Sequence, residues 1–231
     1  MPRASIRIDG RADEPDWAHA EVERAFRFPW KPDPAPRTEF RALCDPEFLY
    51  FSFDIEDADI VAVGRFSDEA DAVLEDRAEI YFSLDDRMGR YFCAEIDSLG
   101  RALDYSASHY RKFDRAWKLD GLTAAGLQRP GGYAVEARVP LASLEALGFP
   151  RLKPGTKIRW GMFRAEFSHD RSGKTAPAAP SIHNLGRKTE GPPPIENWIS
   201  WVDPKTPEPD FHVPSSLGWL EVVPLARESH P

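Results

Sequence analysis

Six charged residues of this sequence share a strand-like setting: Glu79, Glu95, Glu136, Arg138, Arg164 and Glu166. Each stands opposite, or adjoins, the apolar set of its own segment, which predicts a polar platform gathered on one outward sheet face. Carboxylates beside guanidinium groups supply acceptors and donors for a polar ligand. The plainer reading is a solvated face whose ion pairs contribute little each. Hydrolysis of a glycosidic bond asks for more, namely two carboxyl groups roughly 5 to 9.5 Å apart across a cleft. The many Asp and Glu offer no spacing that singles out a pair, and Glu79 with Glu95 is the pair to test. Arg164 is set apart by sharing one side of a long strand with Trp160, Met162 and Glu166, a setting in which Arg is paired and partly buried.

Metal and redox chemistry have thinner support. The six His and two Cys show no close ligand pairs, which argues against zinc. Calcium has oxygen donors in Asp54-Ile55-Glu56-Asp57-Ala58-Asp59 and Asp68-Glu69-Ala70-Asp71, although neither run has a Gly-centred EF-hand pattern and both read equally as acidic solvated loops. Haem would need axial ligands, and Met1, Met88 and Met162 pair with no His by sequence. Cys44 and Cys93 both fall in predicted strands and read as small buried or half-buried thiols, with a single bridge as the alternative. The expectation is therefore no cofactor, with structural calcium left open.

The elements that must carry these residues are short. Twenty-two Pro and fifteen Gly punctuate segments rich in Phe, Tyr, Val and Ile, as in an all-β chain. Strands are predicted at Arg37–Cys44, Phe48–Asp54, Ala78–Leu84, Tyr91–Asp97, Tyr133–Pro140, Thr156–Phe167 and Gly218–Val223, with a short one at Trp198–Trp201. Leu49, Phe51 and Phe53 alternate with Tyr50, Ser52 and Asp54, and the same period recurs in the segments of Ile80 and Val135, which marks half-buried antiparallel strands. The polar stretch Asp-Asp-Arg-Met-Gly-Arg after Leu84 predicts a hairpin that leaves Glu79 and Glu95 on outward faces. Pro140 to Gly148 brackets apolar residues at helical spacing, and a further turn around Glu14 to Ala20 is anchored by Trp17. Ala25–Pro36 and Ser168–Glu196 read as loops. Trp160 belongs to the core. Trp198 and Trp201, three positions apart, face opposite ways, so one of them at most lines a site. His212, in a rigid Pro-flanked stretch, is expected to hydrogen-bond within the fold.

Bulk properties narrow the function classes. The 231 residues include 42% hydrophobic and 12% aromatic residues, ample for the core of one domain spanning 1–231. A net charge of -8, with no local Lys/Arg cluster, argues against a nucleic-acid partner. No run of about eighteen apolar residues is present to span a bilayer, and the N-terminal stretch is not continuously apolar, so neither a membrane partner nor an export signal is expected. A mature form that has lost its signal remains compatible with these residues.

Several pieces, in order, resemble the family 9 carbohydrate-binding modules and their stand-alone relatives. They are Ile8-Asp9-Gly10 with Glu14 and Trp17, Asp45-Pro46-Glu47-Phe48-Leu49-Tyr50, and Glu75-Asp76-Arg77-Ala78-Glu79-Ile80-Tyr81-Phe82. Tyr91-Phe92-Cys93-Ala94-Glu95-Ile96-Asp97 with Gly100, and Gly132-Tyr133 through Val139-Pro140, continue the match. Trp201, a proline-rich spacer, Pro209-Asp210-Phe211-His212-Val213-Pro214 and Leu217-Gly218 close it in the manner of the stand-alone group. The resemblance implies an antiparallel β-sandwich, jelly-roll or immunoglobulin-like, with one or two short helices. It also implies non-catalytic binding of a mono- or oligosaccharide and, often, structural calcium. Pyranose C–H faces stack on indoles while the hydroxyl rim takes charged hydrogen-bonders.

On that resemblance Glu79 is a strand-borne acceptor, Arg164 lies on the late strand that carries Arg, and Trp201 matches an aromatic near the terminal loop. Glu95, Tyr91 and Trp198 complete the candidate set. One departure matters: the tight sugar binders have Trp just before the acidic pair that precedes the strand of Glu79, and here that residue is Leu74. A wall of the sugar slot is then missing, and a sandwich that has lost its ligand for a structural role becomes the competing reading.

Overall fold

The structure is a computed structural model, and it describes residues 4–62, 67–169 and 195–224. Eleven strands are found among the described residues. They are β1 (Thr38–Cys44), β2 (Phe48–Glu56), β3 (Arg77–Ser83), β4 (Tyr91–Asp97), β5 (Ala102–Ser108) and β6 (Lys112–Asp114), followed by β7 (Thr123–Arg129), β8 (Gly132–Pro140), β9 (Lys157–Ser168), β10 (Ile195–Ser200) and β11 (Gly218–Glu221). All pair antiparallel. A four-stranded sheet runs β1-β2-β8-β7; a seven-stranded sheet runs β10-β9-β3-β4-β5-β6, with β11 also on β9.

The predicted alternation decides how the sheets meet. Phe51 and Phe53 of the smaller sheet, with Val135 and Ala137, pack on Ile80, Phe82, Phe92, Trp160 and Met162 of the larger one. Trp160 and Phe82 stack at 5.6 Å between ring centres, and Trp160 is 1% exposed, so it is core as expected. The β3–β4 hairpin also forms as predicted, with Glu79 directly opposite Glu95. At the β4–β5 turn Gly100 has φ +82°, and a Cβ there would stand 2.4 Å from the nitrogen of Gly126 in β7. The two backbones touch at this point, which only Gly permits.

The predicted helix is α1 (Leu141–Ala146), whose first amide donates to the Glu47 carbonyl at 2.8 Å. The turn around Trp17 is a 3-10 helix, Pro15–His19, with the indole buried. Three strands escape the sequence reading. β5 and β7, Ala-Leu-Asp-Tyr-Ser-Ala-Ser and Thr-Ala-Ala-Gly-Leu-Gln-Arg, carry small residues with little apolar contrast, and β6 is only three residues long. The loop expected at Ala25–Pro36 is present, pinned where Arg27 and Ser200 exchange backbone hydrogen bonds. Most of the loop expected at Ser168–Glu196, residues 170–194, lies outside the described residues, and its two ends belong to β9 and β10.

Candidate functional site: the covered outer face of the larger sheet

Register places Arg77, Glu79 and Tyr81 of β3 beside Tyr91, Cys93 and Glu95 of β4, with Tyr105 of β5 and Phe163 of β9 on the same outer face. Facing carboxylates on neighbouring strands repel. Here Arg77 lies between them, its Nη2 2.8 Å from Glu79 Oε1 and its Nε 2.8 Å from Glu95 Oε2. Tyr81 donates its hydroxyl to Glu79 Oε2 at 3.0 Å, and Tyr105 donates to Glu95 Oε1 at 2.8 Å. Burial, and then the charge of Glu95, push the Glu79 carboxyl up to about 8. Burial likewise drives the Tyr81, Tyr105 and Cys93 groups well above their ordinary values. Cys93 is a buried thiol and Cys44 a half-buried one, as expected from the sequence.

The platform is not solvated. Residues 203–217 cross over it and insert two rings. Phe211 stacks on Phe163 at 4.2 Å and sits 5.6 Å from both Trp30 and Trp198, filling the space between the two indoles. His212 stacks on Tyr81 at 5.1 Å and shares a 2.9 Å hydrogen bond between its Nδ1 and the Tyr91 hydroxyl, which bears out the expectation that its ring is used internally. Asp210 fastens this strap by accepting from the Tyr110 hydroxyl at 2.6 Å and from Arg111 at 3.0 Å. Solvent still reaches the rim: Trp30, Leu74 and Trp198 are half-buried against the cluster, with the Arg77 guanidinium 5.6 Å from the Trp198 ring. Lys31, 3.7 Å over the Phe28 ring, donates to Asn197 Oδ1 at 2.7 Å; Asn197 is the register partner of Glu166 and so faces away from Trp198.

The sequence-predicted residues therefore divide. Glu79, Glu95, Tyr91 and Trp198 come together on this face. Arg164 does not: its register partner is Ala78, so it points between the sheets, where it pairs with Glu166 and lies 3.6 Å from Asp57. Trp201 faces the main core, opposite to Trp198, as their spacing required. Glu136 and Arg138 belong to the other sheet, Glu136 accepting from the amides of Asp9 and Gly10 and from the Trp17 indole. The single polar platform expected from the sequence is thus three separate clusters, because strand parity fixes a face only once the register between strands is known. Arg77, Tyr81, Tyr105, Phe211 and His212 were missed as members; Arg77 shares the parity of Glu79, which was a legible signal.

The two acidic runs also part. Asp71 Oδ2 accepts from the amides of Ser67 and Asp68, closing a local turn. Asp57 instead meets Asp76 and Glu166 at a buried end of the sandwich, with one oxygen of each within 4.8 Å of the others. Arg164 is the cation beside them, and the buried Tyr133 hydroxyl has no hydrogen-bond partner among the described residues. Burial, then the like charge of Asp57, lifts Asp76 to about 8; burial likewise lifts Glu166 to about 7. Three carboxyl groups against one guanidinium leave excess negative charge and oxygen donors, which fits a hard cation.

Among solved structures the chain is similar to a candidate carbohydrate-binding protein from Bacteroides uniformis, at 17% identity and TM-score 0.63 over 94% of each chain. It is also similar to a family 9 carbohydrate-binding module from Caldicellulosiruptor kristjanssonii, solved with cellotriose and with glucose. Against the cellotriose complex identity is 15% and the TM-score 0.55, over 99% of this chain and 94% of that one; against the glucose complex the values are 16% and 0.56, over 99% and 96%. These likenesses establish a shared fold. No functionally curated protein sequence matches. The sequence itself matches the model of the carbohydrate family 9 binding domain-like family over residues 8–177. The chain belongs to the carbohydrate family 9 binding domain-like family.

Proposed function

We propose that this protein is a non-catalytic carbohydrate-binding domain, and the family match over residues 8–177 is the observation that carries the proposal. The relatives solved with cellotriose and glucose support the same reading. The sugar is taken at the rim of the outer face, where Trp30 and Trp198 flank Phe211. Glu79, Glu95 and Tyr91 support that rim from beneath. Arg164 and Trp201 take no part. Glu79 and Glu95 are bridged by one guanidinium and covered by the strap, an arrangement suited to fixing a surface and not to flanking a scissile bond. The acidic net charge disfavours nucleic acid as a partner.

Calorimetric titration with glucose, cellotriose and a wider glycan panel tests this. Millimolar or tighter binding is expected, lost in Trp198→Ala and strengthened in Leu74→Trp, which restores an indole at the rim. Silence of both the native chain and Leu74→Trp would favour a sandwich kept for a structural role.

We also propose a structural calcium between Asp57, Asp76 and Glu166, with the Tyr133 hydroxyl beside it. Added calcium should raise the thermal midpoint and a chelator lower it, with neither effect in Asp57→Asn. Equal midpoints with calcium and with chelator would refute it.

A further inference from the structure

An edge of the sandwich opens into a groove of about 360 Å3, within the size range of small-molecule sites. Its floor is the main core itself, through Phe40, Leu49, Ile158 and Met162, all at most 4% exposed. One wall is the stretch His19–Glu23, held beside β1 by the Glu23–Phe40 backbone bridge. The other is β11 with its continuation to Pro224. Trp201 and Trp219 both line it. Five large apolar side chains among the described residues are clearly exposed, and two of them, Trp219 at 51% and Val223 at 50%, stand here.

The charge of the rim has one sign. Glu21, Glu23 and Glu221 line the groove with His19, and no Lys or Arg does so. Lys157 pairs with Glu221 at 2.9 Å without lining the groove, and Glu23 accepts from its own neighbouring amides, while Glu21 is exposed at the rim. A hydroxyl-rich ligand would lose hydration against the apolar floor and find partners only at the acidic rim. An anion would meet carboxylates. A body of hydrocarbon or aromatic rings gains from both floor and indoles, and a positive head gains from the acidic rim, although the Arg159 guanidinium already lies 5.0 Å from the centre of the Trp219 ring.

We propose that this groove is a second binding site, independent of the sugar-binding rim, for an amphipathic cation: an aromatic or aliphatic body carrying an ammonium group. Phenylethylamine, phenylethanol and phenylpropanoate, titrated into the full chain and followed by tryptophan fluorescence and by heat, separate the two contributions. The amine is expected to bind several-fold more tightly than the alcohol, and the carboxylate least. Glu21→Gln should erase the preference for the amine while leaving the alcohol unchanged. Ala42→Phe, which fills the groove from β1, should weaken all three roughly tenfold. Trp219→Ala removes an exposed ring, so it spares the fold, and it should weaken the amine and reduce the fluorescence response. Binding of none of the three at millimolar concentration, preference for the carboxylate, or amine binding that survives both Ala42→Phe and Trp219→Ala would overturn the proposal. Sugar titrations with the same variants should match the native chain, so this test and that of the sugar-binding rim fail separately.

Discussion

The two faces of the seven-stranded sheet are equally buried and chemically opposite. The inner face presents Ala78, Ile80, Phe82, Phe92, Ala94, Ile96, Trp160 and Met162; the outer presents Arg77, Glu79, Tyr81, Tyr91, Cys93, Glu95, Tyr105 and Phe163. All sixteen are 4% exposed or less. Away from the Arg164–Glu166 pair, the inner face is covered by a second sheet and needs only shape to match. The outer is covered by a strap, and each polar atom drawn under it must find a partner or carry a cost. Alternation in the sequence distinguishes the faces; it does not distinguish a solvated polar face from a buried one.

The comparison is broken most sharply at Arg77. Arg77→Met leaves two buried carboxyl groups facing each other, and a loss of about 3–5 kcal/mol is expected in urea unfolding. Adding Glu79→Gln and Glu95→Gln to that variant should recover part of the loss; no recovery would mean that Arg77 acts through packing alone. pH offers the next test. The Glu79 carboxyl is raised in the folded state, so the fold binds a proton that the unfolded chain has released above its ordinary carboxyl pKa. Stability should therefore fall as pH rises from about 4.5 to about 8 and level off above that. Thermal midpoints across this window should show the decline, and Glu79→Gln should flatten it.

Smaller effects sharpen the contrast. Tyr105→Phe removes a hydroxyl that donates to a buried carboxylate, and about 1.5–3 kcal/mol is expected by denaturant titration. On the inner face Ile80→Val removes one methylene from a core without polar partners, so about 0.5–1.5 kcal/mol is expected, with no change in the pH slope. An Ile80→Val cost above that of Tyr105→Phe would reverse the ranking of the two faces.

Much of the fold was legible in the sequence. Phe48–Asp54 and Ala78–Leu84 alternate cleanly, and Pro140 with Gly148 brackets α1, because these patterns are local. The small-residue strands β5 and β7 lack the contrast that alternation needs. The site was only partly legible for the same reason of distance. Glu79 and Glu95 were placed on one face because a short turn fixes their register. Arg164 was set beside them although it lies on the opposite face, since its register with β3 is fixed only by the folded sheet. That Phe211 and His212 cover the platform depends on contacts more than a hundred residues apart along the chain, such as Tyr91 with His212, separated by 121 positions. The rigid Pro-flanked segment signalled that His212 had a structural use, but not where.

Glu136 has a consequence for how the domain could be trimmed. Its carboxylate, on the outer side of the smaller sheet, is satisfied by the amides of Asp9 and Gly10 and by the Trp17 indole. A fragment cut to begin at β1 would keep every strand and every inter-strand hydrogen bond, yet strand that acid without donors on a bared apolar patch that includes Tyr50. The smallest autonomous folding unit therefore starts before Asp9, nearly thirty residues ahead of the first strand, and its N-terminal arm is as much a part of the sandwich as any ladder.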